Sequence, residues 1–146
     1  MRKITTAFAT FDGASARAYI YERAKKRLTP LDGFPLEGAR KPEFDSERPR
    51  VFQSVGEMRS AVEPQTDPEK ELERAFVAGV ARRLEAVRSK GGFDRLIVAA
   101  PPRVLGYWRE VAPSSLVSVV KNEVTGDYVN KDEVSLLPIV EDAFWG

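Results

Sequence analysis

The chain has 146 residues, 42% of them hydrophobic and 31% charged, with a formal net charge of +1. That length suits one domain spanning 1–146, able to hide on the order of 70% of its unfolded surface, and the near-zero net charge supplies no global field to draw in nucleic acid or an anionic membrane. With neither Cys nor His present, Ser-His-Asp and Cys-His nucleophile systems are excluded in their usual forms, as are zinc sites built from His and Cys and any disulfide framework.

Residues 3–11, KITTAFATF, alternate β-branched and aromatic residues at period two and read as a strand. Thr5, Thr6 and Thr10 interrupt the apolar run, which makes it a poor signal peptide. No window reaches the ~20 apolar residues of a membrane span, so a soluble, cytoplasmic chain is expected. Asp12-Gly13-Ala14-Ser15 supplies turn chemistry, and 16–23 is the returning strand of a hairpin. Residues 27–37 look like a third strand, placed at an edge or irregular because Pro30 and Pro35 cannot donate to a ladder. The polar stretch 38–66 shows no stable period and is expected to be a long, mobile loop.

Residues 67–90 carry the strongest helical pattern. Asp67 caps, Pro68 suits the first position, and Leu72, Ala75, Phe76, Gly79, Val80, Leu84 and Val87 form an apolar stripe. Gly91-Gly92 stops the helix. Leu96–Ala100 is an unbroken apolar run, the pattern of a central parallel strand covered on both faces. Pro101-Pro102 ends it and opens a short helix running to about Val111. Residues 116–124 read as another strand, and Asn130 with Glu133 resembles a capping box for a helix over 131–144, kinked or split at Pro138. The order predicts an α/β fold: a mixed sheet of about five strands, with an N-terminal antiparallel hairpin or meander, then parallel βαβ units, and helices packed on it.

There is no GxGxxG, GxxxxGK[ST] or GxSxG motif. Open α/β sheets bind ligands beyond the carboxyl ends of their strands, and that rim carries Pro101, Pro102 and Arg103, with Arg103 near a helix N-terminus that favours anions. A rigid corner bearing a solvated arginine explains the same residues. Asp12 and Arg17 flank the first turn; Asp12 is the carboxylate best placed to meet Arg103, and equally an ordinary turn residue. In the long loop, Arg48 and Arg50 stand beside Phe44 and Phe52, a pattern that suits a partner or single-stranded nucleic acid. Glu43, Asp45, Glu47 and Glu57 dilute that charge and suit a solvated loop as well. No catalytic residue, metal ligand or cofactor site stands out.

The segments FDGASARAYIYE, DSERPRVFQS, DPEKELERAFVAGVARRLE and above all FDRLIVAAPPRVLGYWREV resemble the bacterial host attachment protein family, whose members are described as required for attachment to host cells. That family is similar in fold to the middle domain of archaeal and eukaryotic peptide-chain release factors. The resemblance implies a domain of translation-machinery or ribonuclease-H-like character. Release factors carry a Gly-Gly-Gln tip; the matching stretch 40–66 has Gln53 and Gln65 but no Gly-Gly-Gln, so peptidyl-tRNA hydrolysis is not implied. The expectation is a non-enzymatic cytoplasmic protein that binds an unidentified protein partner and acts indirectly in attachment. An RNA- or ribosome-associated factor is the alternative, and a hydrolase of a phosphate-containing substrate using Asp12 and Arg103 is a third.

Overall fold

A computed structural model describes residues 3–38 and 67–145. The expected loop, with Arg48 and Arg50, therefore lies outside the described residues apart from Gly38. Strands β1 (Thr6–Phe11) and β2 (Ser15–Glu22) form the expected antiparallel hairpin, in register from Thr6 opposite Tyr21 to Phe11 opposite Ala16. Asp12 builds the turn: its Oδ1 accepts the backbone N–H groups of Ala14 at 2.8 Å and Ser15 at 2.7 Å. A 3-10 turn over Arg23–Lys25 leads into β3 (Arg27–Pro30), and β4 (Leu36–Glu37) follows. Both pair antiparallel with β2, β4 at its beginning and β3 at its end. The third strand expected over 27–37 is thus two short ones. Between them the chain turns through Gly33, whose φ of +89° is costly for any other residue.

Helix α1 (Pro68–Ser89) starts as the sequence predicts: Pro68 follows Asp67, whose carboxylate accepts the Glu69 N–H at 2.9 Å. It also stops as predicted, at Gly91 in the left-handed region with φ +86°. Its buried face differs. Val77, Val80, Ala81 and Leu84 pack inward, whereas Leu72 stays 39% exposed and Ala75 is exposed. The first two turns of α1 border a crevice at the end of the sheet, so only the later turns meet the core.

Strand β5 (Arg95–Ala100) runs parallel to β1 and to β6 (Val120–Thr125). The six-stranded sheet has the order β3-β2-β1-β5-β6, with β4 beside β3 on β2. Leu96 through Ala100 are fully buried, as the unbroken apolar run requires. Helix α2 (Pro102–Val111) begins at the diproline. The expected strand over 116–124 begins instead as a helical turn, α3 (Ser114–Val117), because the Leu116 and Val117 N–H groups both donate to the Pro113 carbonyl and Leu116 is buried.

Helix α4 (Glu133–Trp145) is one piece through Pro138. Its cap is Asp132, not the Asn130–Glu133 pair: Asp132 Oδ1 accepts the Ser135 N–H at 2.8 Å. Pro138 is exposed, and burial of Leu136, Val140 and Ala143 offsets the one backbone bond it removes.

Helices α1, α2 and α3 cover one face of the sheet and α4 the other. The first core joins Phe11, Leu84, Val98, Leu105 and Trp108, with the Phe11 and Trp108 rings 5.5 Å apart; the second joins Phe8, Ile97, Leu136 and Val140. The outer edge of β6 is blunted. Asn122 Oδ1 accepts the Glu123 N–H at 2.9 Å, its Nδ2 donates to the Ala143 carbonyl at 3.2 Å, and Arg109 holds the Glu123 carboxylate. Among the described residues, no helix is long and apolar enough to cross a membrane.

Trp108→Ala removes the largest fully buried side chain and is expected to destabilise the domain by about 3–5 kcal/mol; a denaturant midpoint that hardly moves contradicts this packing. The Ser135 backbone N–H is the main cause that holds the Asp132 carboxyl below its ordinary value of 3.8. A depressed carboxyl stabilises the fold fully above the unfolded value and loses that contribution as pH falls through the folded one. Acid titration of helix content by circular dichroism should therefore show an end-of-helix component below pH 3.8 that Asp132→Ala abolishes.

Candidate functional site

Beyond the carboxyl ends of β1 and β5 lies a crevice of about 500 Å³, where open α/β sheets place ligands. The hairpin turn contributes Asp12 and Gly13, the β5–α2 corner contributes Pro101 and Arg103, α1 contributes Glu69 and Glu73, and the segment after β6 contributes Asp127. Four elements thus converge because three strand ends and one helix start share this edge of the sheet.

The diproline makes the corner. Pro101 is extended at the cap position of α2, with its carbonyl accepting the Leu105 N–H at 2.9 Å, and Pro102 takes the first helical position. This turns the chain sharply and sends Arg103 toward α1. Arg103 Nε and Nη2 donate to the two carboxylate oxygens of Glu73 at 3.1 and 3.0 Å. The hydrogen bond to Glu73, and then its charge, hold the guanidinium above its ordinary pKa. Gly13 makes room for this pair: a Cβ there would stand 2.5 Å from Glu73 Cγ. Its missing side chain lets Glu73 lie across the hairpin turn.

The structure therefore brings Asp12, Pro101 and Arg103 to one crevice and places Pro102 in its α2 corner. Arg17 stands elsewhere. It is exposed on β2, beside a separate small cavity with Tyr19, Phe34 and Glu133. The sequence reading passed over Glu69, Glu73 and Asp127. Glu69 and Glu73, four residues apart on α1, share a helix face, and Asp127 follows the carboxyl end of β6, so the rim rule applied to all parallel strands points to it.

The electrostatics differ from an anion pocket. Among the described residues, four carboxylates face one guanidinium, and that guanidinium is already paired with Glu73. Asp12 is engaged as well, with Oδ1 taking two backbone N–H groups. Glu69 and Asp127 line the crevice from different elements, which leaves a surplus of negative potential suited to a cationic ligand. The carboxylates do not converge: among the described residues, no group of three or more Asp and Glu is placed to hold a metal ion.

The Arg103–Glu73 pair is half open to water, with side-chain exposures of 59% and 27%, so its coupling energy in a double-mutant cycle should not exceed about 1 kcal/mol. Gly13→Ala should push Glu73 aside and bring that coupling close to zero without unfolding the domain. An undiminished coupling in the Gly13→Ala background contradicts the contact.

The family described as "Protein required for attachment to host cells" matches residues 7–140. No curated protein matches the chain in sequence. Among solved structures, an archaeal translation termination factor, aRF1, is similar with a TM-score of 0.53 and 17% identity, over 96% of this chain and 36% of its own. Pelota from Archaeoglobus fulgidus is similar with a TM-score of 0.52 and 15% identity, over 97% of this chain and 33% of its own. The chain thus spans about a third of the length of these structures, and at such identities the likeness is one of fold. The family match takes in β1 from its second residue, every other strand, helices α1 to α3 and each residue lining the crevice; the chain belongs to the family of proteins required for attachment to host cells.

Proposed function

We propose that the chain is a cytoplasmic, non-enzymatic binding protein that serves attachment indirectly, by holding a basic segment of a partner protein in the crevice. The observation that carries this reading is the surplus of carboxylates there among the described residues, with Glu69 and Asp127 lining the crevice beside the mutually paired Arg103 and Glu73. A volume of about 500 Å³ lies within the range of ligand sites, roughly 300–1,000 Å³, and takes a lysine or arginine side chain with its neighbours. Binding rather than turnover is favoured because the two groups best suited to chemistry, Asp12 and Arg103, are already engaged, one in the hairpin turn and one with Glu73.

A second reading, association with RNA or the ribosome, is supported by the likeness to a translation termination factor and by aromatic and cationic side chains gathered at the opposite end of the sheet.

The first reading is tested by capture from the native cell, comparing wild type with the Glu69→Lys/Asp127→Lys variant. The wild type should retain a protein that elutes as salt is raised from about 50 to about 200 mM, since exposed charge pairs are screened over this range. The variant should lose it while keeping the wild-type circular dichroism spectrum. An identical captured set at every salt concentration rules out the crevice as the partner site.

A further inference from the structure

The end of the sheet away from the crevice carries a different kind of surface. Antiparallel pairing puts Tyr21 opposite Thr6, at the start of β1, so the 3-10 turn after β2 lies a full strand length from Asp12. There the last turn of α4 meets the turn over Arg23–Lys25. The Arg23 guanidinium lies 5.5 Å from the centre of the Phe144 ring and 5.3 Å from that of Trp145. The Lys121 ammonium also approaches Phe144, at 5.5 Å. Phe144 meets Trp145 edge-on at 5.1 Å and Tyr21 at 5.4 Å. The rings therefore brace one another, yet Trp145 is 68% exposed. A cavity of about 690 Å³ opens between Trp145, Arg23 and Lys26.

Two details set this surface apart from an ordinary exposed strand end. An indole left largely in water forfeits the burial that usually retains a tryptophan, while Trp108, the other tryptophan, is 1% exposed. Lys26 closes the turn in the left-handed region, at φ +52°, where glycine or asparagine is the less costly choice. A cation is thus kept on the rim of the cavity that Trp145 lines, at a backbone cost. Arg23, Lys25 and Lys26 are all exposed. The opposing carboxylates are Glu141, whose Oε2 accepts the Tyr21 hydroxyl at 3.4 Å, and Asp142; Glu22 is paired with Arg27.

We infer that Arg23, Lys26 and Trp145 form a binding platform for single-stranded RNA, in which a base stacks on the Trp145 indole and the adjoining phosphates lie against Arg23 and Lys26. An exposed ring flanked by cations matches a ligand that alternates planar bases with anionic groups. An acidic peptide would satisfy the cations and leave the indole without a partner. A flat anionic membrane would press on Glu141 and Asp142, which share the same rim. The inference rests on the RNA reading given above and names its site; it is independent of the crevice.

The test uses the full chain and a fluorescein-labelled oligouridylate of about 12 nucleotides, a length that fills one site of this type. Binding is followed by anisotropy and by quenching of tryptophan emission, which reports on Trp145 because Trp108 is buried. Wild type should bind with affinity that falls steeply between about 50 and about 200 mM salt. Trp145→Ala should weaken binding at least about fivefold and abolish the quenching. Arg23→Ala/Lys26→Ala should lower the salt slope by about 1.4, the value for two phosphate contacts on a single strand. The Glu69→Lys/Asp127→Lys variant should retain the platform's quenching. RNA binding that is undiminished in the Trp145 and Arg23/Lys26 variants overturns the site while leaving an RNA role standing. Absence of binding at low salt overturns both. Equal displacement of the oligonucleotide by heparin and by unlabelled RNA at matched charge, with no quenching by either, overturns the stacking and leaves only attraction between charges.

Discussion

The structure depends on burying β5 on both faces between β1 and β6. Leu96, Ile97 and Val98 are each fully enclosed, and each contributes roughly 1.5–3 kcal/mol by leaving water. That stabilisation requires cover on both sides of the sheet, so the chain supplies three helices for one face and α4 for the other. A strand enclosed in this way has nowhere to present polar side chains except at its ends. The polar groups with a functional reading accordingly gather at the two ends of the sheet.

The two faces solve the packing differently. Along β1 and β2 most small residues point to one side and most large ones to the other, with Phe11 and Ile20 the large exceptions on the side of the alanines. Ala7, Ala9, Ala16 and Ala18 face α1, while Phe8, Tyr19 and Tyr21 face α4. The small residues let the longest helix, 22 residues in α1, lie close against the sheet with only Val77, Val80, Ala81 and Leu84 inserted. The large ones reach across to the single 13-residue helix α4 and fill the volume that one helix leaves. Over Ala7–Ala9 the alternation is thus one between sizes more than between apolar and polar, and Phe11 ends it by turning toward Trp108.

Much of this was legible in the chain itself. The hairpin, the Asp67 cap, the Gly91 stop and the central position of Leu96–Ala100 each rest on a local signal that tertiary contacts reinforce. The departures share a cause. Leu72 belongs to an apolar stripe by spacing, but α1 begins beyond the sheet, and no periodicity encodes where a helix stops overlying a neighbour. Residues 116–119 have strand-forming side chains, yet Pro113 and the buried Leu116 draw them into a helical turn. At the site, Asp12, Pro101 and Arg103 were readable from the rim of the sheet. The Glu73 contact was not, because it joins residues 30 apart and depends on the space left by Gly13. The charge of the crevice was only partly out of reach, since the rim rule reaches Asp127 while nothing local brings Glu69 to the same edge.

The crevice and the aromatic cluster sit at opposite ends of β1, six residues long, or about 20 Å apart at the usual rise of a strand. A ligand held at one end therefore stands a strand's length from the other. If both proposed sites bind, the molecule would act as a clasp, tethering two unlike things at a fixed spacing.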